Sequence, residues 1–289
     1  MLAGIEIVCF AASYAVSLVL EISRLFFRSG IRGAIMVGFA GAGLAAHSLF
    51  LASRAYEAVD ADQTPLSSAF DWYLLAAWVL AATYLYLAFY HPRTAIGLFV
   101  LPLVLGLVLI AALWADLQPF PVDRASQWWG AVHGLLLLLG TVAVMIGFAA
   151  GMMYLVHAFR LKRKRPPLRG LQLPSLEWLD RVNSRAIVIS VLMLCAGHLA
   201  GVILNLVNQG RAVDELPWSD PVVVSSAATV VWLLLAACFS LLYKPARQGR
   251  KVAYLTVASF VFLVFSLASG LVLPTEHRAS AAPEAGASP

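Results

Sequence analysis

The chain has 289 residues, of which 61% are hydrophobic and only 12% charged, with a formal net charge of +5. A soluble domain carries about 25% charged residues, so this composition, with a mean hydropathy of +0.84, excludes one and indicates a chain threaded through a bilayer. The excess of positive charge lies in the loops and reports on membrane orientation, giving no reason to expect nucleic acid as a partner.

Eight apolar runs predict an all-α, polytopic helical bundle with spans near 2–22, 33–53, 71–91, 94–115, 128–158, 186–208, 221–243 and 251–273. Each run suffices to cross a hydrocarbon core of ~30 Å, and backbone groups in lipid must be satisfied within the segment, so the spans are helices. The first carries Glu6, the only acid well inside a span, and has no basic residue before it or small-residue cleavage site after it, so it reads as a retained helix. The second contains GFAGAG at 38–43, glycines spaced for close helix packing, and His47 at about 9 Å from its end. Trp72 opens the third span, Pro102 is the central proline of the fourth, and Trp114 closes it.

The fifth run opens on Trp128, Trp129 and His133, contains GFAAG at 147–151, and is longer than a bilayer requires, so it tilts or projects. RLKRKRPPLR at 160–169 follows as a basic anchor for anionic lipid. The sixth span holds His198 about 13 to 15 Å inside. The seventh opens with LPWSDP, where Pro221 suits a first helical turn and Asp220 is placed to cap it, beside Trp218. His277 follows the eighth span, and the small, polar tail at 278–289 reads as disordered.

Basic residues fix the orientation. Arg24, Arg28, Arg32, Arg93, the cluster from Arg160 to Arg185, and Lys244, Arg247, Arg250 and Lys251 fall in alternate loops, whereas the opposite side holds only Arg54, Arg124, Arg211 and Arg278. Both termini are therefore expected outside, with the chain in the bacterial cytoplasmic membrane. Residues 1–277 form a single transmembrane domain.

Chemistry follows from the histidines. His91 and His157 lie at cytoplasmic ends, where capping carbonyls or meeting headgroups accounts for them, whereas His47, His133, His198 and His277 gather toward the outside beside aromatic residues. Four imidazoles near flat apolar walls suit a ligand wanting axial nitrogen, which describes haem. Cys9, Cys195 and Cys238 stand singly inside spans, so neither a disulfide framework nor a thiol-redox motif competes. No P-loop, nucleophile elbow or H-E-x-x-H pair occurs.

In GLAAHSLFLASRA at 43–55, PLSSAFDWYLLAAWVLAATYLYL at 65–87, WWGAVHGLLLLLG at 128–140, GMMYLVHAFRLKRK at 151–164, LPSLEWLDRVNSRAIVISVLMLCAGHLAG at 173–201 and GRKVAYLTVASFVFLVFSLASGLVLPTEH at 249–277, the chain resembles the cytochrome c assembly proteins. That family includes cytochrome c haem lyases and HemX-like proteins. The resemblance implies haem b as cofactor, His133 and His277 as axial ligands, Trp128, Trp129, Trp218 and Asp220 as flanking surface, and His47, with His198, as an inner station. It also implies cytochrome c maturation or haem-synthesis proteins as partners. Ser219 stands where the family's outer motif has tryptophan before Asp-Pro, Val222 stands where lysine follows, and Phe239 and Ser240 replace a membrane histidine of the lyases. The HemX-like branch is thus nearer than a complete lyase, and no catalytic residue is assigned.

Two other classes are open at this point. A transporter of another solute predicts internal repeats or broken helices with paired intramembrane charges. A regulator or scaffold would act through the loop at 160–185 without handling haem.

Overall fold

The computed structural model describes residues 6–26, 31–61, 64–118, 124–164, 171–209, 217–242 and 249–273. Among them the chain forms eight helices: α1 (Ile7–Ser23), α2 (Arg32–Asp60), α3 (Ala69–Tyr90), α4 (Gly97–Trp114), α5 (Arg124–Lys162), α6 (Leu176–Gln209), α7 (Pro221–Leu242) and α8 (Gly249–Val272). Seven are long and apolar enough to cross a membrane, and α1, with 17 residues, is the shorter apolar one. The expected polytopic helical bundle is the observed architecture.

Two helices outrun their apolar cores. α2 continues to Asp60, and α6 begins at Leu176, so its first turns include charged residues that sequence hydropathy assigns to a loop. In those turns Leu179 and Asn183 are fully buried whereas Glu177 and Arg181 are exposed, the spacing of one helical face. α5, with 39 residues, is ~58 Å long at 1.5 Å per residue and therefore projects beyond the ~30 Å hydrocarbon core.

Helices α1 to α4 pack together, α5 to α8 pack together, and the two groups meet where α3 and α4 lie on α5. Side-chain and loop contacts tie each end of the bundle. At one end, hereafter the histidine end, the end of α2 meets the start of α3 through Arg54 Nε and Asp71 Oδ1 at 2.6 Å, with the Arg54 guanidinium over the Phe70 ring. Asp71 is 4% exposed and also completes a capping box with Ser68. At the opposite, basic end, the backbone N–H of Ala95 donates to the carbonyl of Gln172 at 2.8 Å, joining the α3–α4 connection to the segment before α6.

Breaking the Arg54–Asp71 pair leaves a half-buried guanidinium alone, so Asp71→Ala is expected to cost about 3 kcal/mol. Ser68→Ala, which removes the cap and the hydroxyl's hydrogen bond to Asp71 Oδ2 but no charge, should cost less, about 1–2 kcal/mol. Thermal denaturation in detergent reads the order of the two.

Small and hydroxyl residues set the other interfaces. Gly151 lets α8 approach α5, since a Cβ there would stand 2.5 Å from Thr256 Oγ1. Between α7 and α8, Ser225 meets Ser269 at 2.7 Å and Trp232 Nε1 donates to Ser259 at 3.1 Å. Such contacts replace the hydrophobic drive that lipid removes. Of the GFAGAG glycines only Gly43 is a close-packing position, where a Cβ would lie 3.0 Å from Tyr14 Cε1, whereas Gly38 and Gly41 face open space.

One expectation about charge needs correcting. Glu6 is exposed and stands at the N-cap of α1, outside the helix. The buried acid of α1 is Glu21, only 1% exposed, held by Arg24 at 3.2 Å. Arg24 also donates to the carbonyls of Thr94 and Pro92, at 3.0 and 3.2 Å, pinning α1 to the α3–α4 connection. A glutamate beside a run of arginines reads in sequence as the edge of a loop, and its burial follows from that clamp.

Candidate functional site

His133 lies near the start of α5, where the helix is gripped from two sides. On one, the Trp72 indole of α3 crosses Gly134, and a Cβ there would meet it at 2.6 Å. On the other, the His133 ring lies against Gly197 and Gly201 of α6. His133 Nδ1 is 2.7 Å from the Gly197 carbonyl. A carbonyl only accepts, so Nδ1 carries the proton and donates, and the lone pair of the neutral ring resides on Nε2. Nε2 forms no hydrogen bond among the described residues. A carbonyl holding the distal N–H of a histidine is the arrangement that orients metal-ligating imidazoles and raises their basicity.

Gly201 is integral to that seat. A Cβ at 201 would stand 2.7 Å from His133 Cε1 and 2.9 Å from Nδ1, so any side chain there displaces the ring. His198 lies between the two glycines in sequence and is half-buried.

Trp128 and Trp129, about one helical turn before His133 on α5, are open. Trp128 is 75% exposed and Trp129 37%. Trp218 is likewise exposed, whereas Asp220 is buried and accepts from the N–H of Val222 at 2.8 Å, capping α7 with Pro221 in its first turn. His277 lies outside the described residues.

His47 occupies a different environment. Its ring is fully buried and stacked on Phe10 of α1, with centroids 4.1 Å apart and planes 1° apart. Nδ1 is 3.3 Å from the Tyr14 hydroxyl, and Nε2 is buried without a partner. The structure therefore sets the segment that carries His198 against His133 of α5, and gives His47 its ring contacts on α1. The two remaining histidines are at the basic end. His91 ends α3 edge-on to Trp178, and His157 Nδ1 lies 3.2 Å from the Pro174 carbonyl.

Sequence reasoning selected His133 and His198 but missed their supports. Trp72 reads as one more interfacial tryptophan. Gly197 and Gly201 bracket His198 in G-x-x-x-G spacing, a signal of close helix approach that pointed to where α5 would dock. No group of three or more His, Cys, Asp or Glu that would hold a free metal ion occurs among the described residues. The donor set is one oriented imidazole, a second nearby, and aromatic walls, which suits a metal that brings its own equatorial ligands.

A model of the family described as cytochrome c assembly protein matches residues 66–274, which span α3 to α8. His133 and His198 fall within the match, and His47 precedes it. No curated protein sequence matches the chain.

Proposed function

The chain belongs to the cytochrome c assembly protein family, and on that footing we propose that it holds haem b at the histidine end of the bundle for delivery or presentation at the outer face of the membrane. As a multi-pass member of that family the protein takes part in cytochrome c biogenesis. The observation that carries the haem reading is the 2.7 Å contact of His133 Nδ1 with the Gly197 carbonyl, which leaves Nε2 to ligate iron.

His133 and His277 supply the axial ligands in this reading. Trp128, Trp129 and Trp218 give a flat apolar border, with Asp220 holding the start of α7 beside Trp218. Bound haem contributes the iron and its redox chemistry. The protein's residues contribute orientation: Gly197 fixes the tautomer of His133, and Gly201 makes room for the ring. His47 marks an inner station in this reading, and its unpartnered Nε2 supports that role. Ser219 and Val222 in the outer motif favour a HemX-like carrier over a lyase. The protein resides in the cytoplasmic membrane with both termini outside, as the distribution of arginine and lysine supports.

Protein purified in mild detergent from cells supplied with haem precursor is expected to show a Soret band and the reduced spectrum of six-coordinate haem. His133→Ala should lower haem affinity by about a hundredfold or more, beyond the ~10–100-fold range of lost outer-shell contacts. His277→Ala should shift the spectrum toward five-coordinate haem. His157→Ala, which removes the same kind of carbonyl-bound imidazole at the opposite end, should leave the spectrum unchanged. A wild-type protein that stays free of haem, or a His157 variant that loses as much as the His133 variant, contradicts the proposal.

A further inference from the structure

The basic end of the bundle, opposite the His133 seat, carries a feature of its own. There α5 and α8, with Leu171, border an open cavity of about 420 Å³. Its rim carries Arg160 of α5 and Arg250 of α8. Its wall one helical turn further along each helix is Val156 and Leu155 on α5 and Tyr254 on α8, with Phe159 and Leu171 closing the side. The two helices run in opposite directions, yet each places arginine at its end and apolar or aromatic surface four residues inward, ~6 Å away. Arg163, which does not line the cavity, stacks 4.7 Å over the Phe159 ring. Arg250 is exposed and forms no hydrogen bond or ion pair among the described residues.

We infer that this cavity binds one anionic phospholipid, its phosphate between Arg160 and Arg250 and an acyl chain along Val156 and Tyr254. Guanidinium groups match phosphate oxygens in planar pairs. The separation of charge from apolar wall matches that between a headgroup and the top of its chain. Phe159 and Tyr254 are 44% and 54% exposed, so the apolar wall opens sideways to surrounding lipid, the route by which a phospholipid would enter. The inference stands independently of the haem site, which is at the other end of the bundle.

The test is native mass spectrometry of the detergent-purified full chain titrated with phosphatidylglycerol or phosphatidylcholine. Each arginine near a membrane surface favours an anionic headgroup by about fivefold, so wild type should prefer phosphatidylglycerol by about thirtyfold. Arg160→Gln with Arg250→Gln should abolish the preference, whereas Arg181→Gln, an exposed arginine paired with Glu177, should keep it. Wild type alone supplies a second readout, since phosphatidylglycerol should raise its melting midpoint and phosphatidylcholine should not. Equal binding of the two lipids, or a preference that survives the double substitution, overturns the inference. So does displacement of bound phosphatidylglycerol by stoichiometric haemin, which would reassign the cavity to haem.

Discussion

Leucine in place of Gly201 is expected to lower haem affinity by about 10–100-fold, although position 201 offers haem no ligand. The Cβ alone would stand 2.7 Å from His133 Cε1, well inside contact distance. The imidazole must swing off α6, Nδ1 leaves the Gly197 carbonyl, and the ring loses both its fixed tautomer and its direction. Controls are available in the same protein: Gly38 and Gly106 have nothing within 4 Å of a built Cβ, so leucine there should retain full haem occupancy. The measurement is haem per protein from the Soret band, with gel-filtration profiles to verify the fold. Equal occupancy in the Gly201 and Gly38 variants would show that the α6 seat does not position the ligand.

The second large effect is an asymmetry at the opposite end. Glu21 is only 1% exposed, and Arg24 is its one ion-pair partner among the described residues. Arg24→Gln leaves a buried carboxylate uncompensated and severs α1 from the Pro92 and Thr94 carbonyls. The expected cost is about 3–5 kcal/mol. Glu21→Gln removes the charge that needs compensating and leaves Arg24 its two carbonyls, so it should cost about 1–2 kcal/mol. Thermal unfolding in detergent separates the two, and a Glu21 variant less stable than the Arg24 variant would refute the clamp. Because α1 precedes the segment matched by the family model, this clamp adds to its packing on α4 in securing the first helix to that segment.

Much of the fold was legible because lipid imposes a coarse rule: long apolar runs must be helices. The rule fails where helices leave the apolar zone. Leu176 to Arg185 looked like part of a basic loop because Glu177, Asp180, Arg181 and Arg185 lower its hydropathy, yet the buried Leu179 and Asn183 show it continuing as one face of α6. Glu21 escaped notice because arginines follow it. At the site, the placement of His133 near the start of one helix and His198 toward the end of the next was readable, as was the cap made by Asp220. Their neighbours were not. His133 and Gly197 are 64 positions apart, and nothing local specifies which carbonyl meets which ring. Only the G-x-x-x-G spacing at 197–201 marked the place where a helix would come close. His47 read as a possible partner for His198, and its actual neighbours, Phe10 and Tyr14, come from a helix whose own sequence shows no sign of meeting it.

Rescue of a vacated ligand position tests the central claim most directly. His133→Gly removes the imidazole and leaves a space of its own shape beside the Gly197 carbonyl. Free imidazole added to that variant during haem loading is expected to restore the six-coordinate spectrum, with occupancy rising as imidazole is titrated, because the small molecule can take the same carbonyl hydrogen bond and present its other nitrogen to iron. His157→Gly should show neither the loss nor the rescue. A His133→Gly protein that binds haem as wild type does without added imidazole, with an unchanged spectrum, would contradict ligation by His133 and with it the site proposed for this protein.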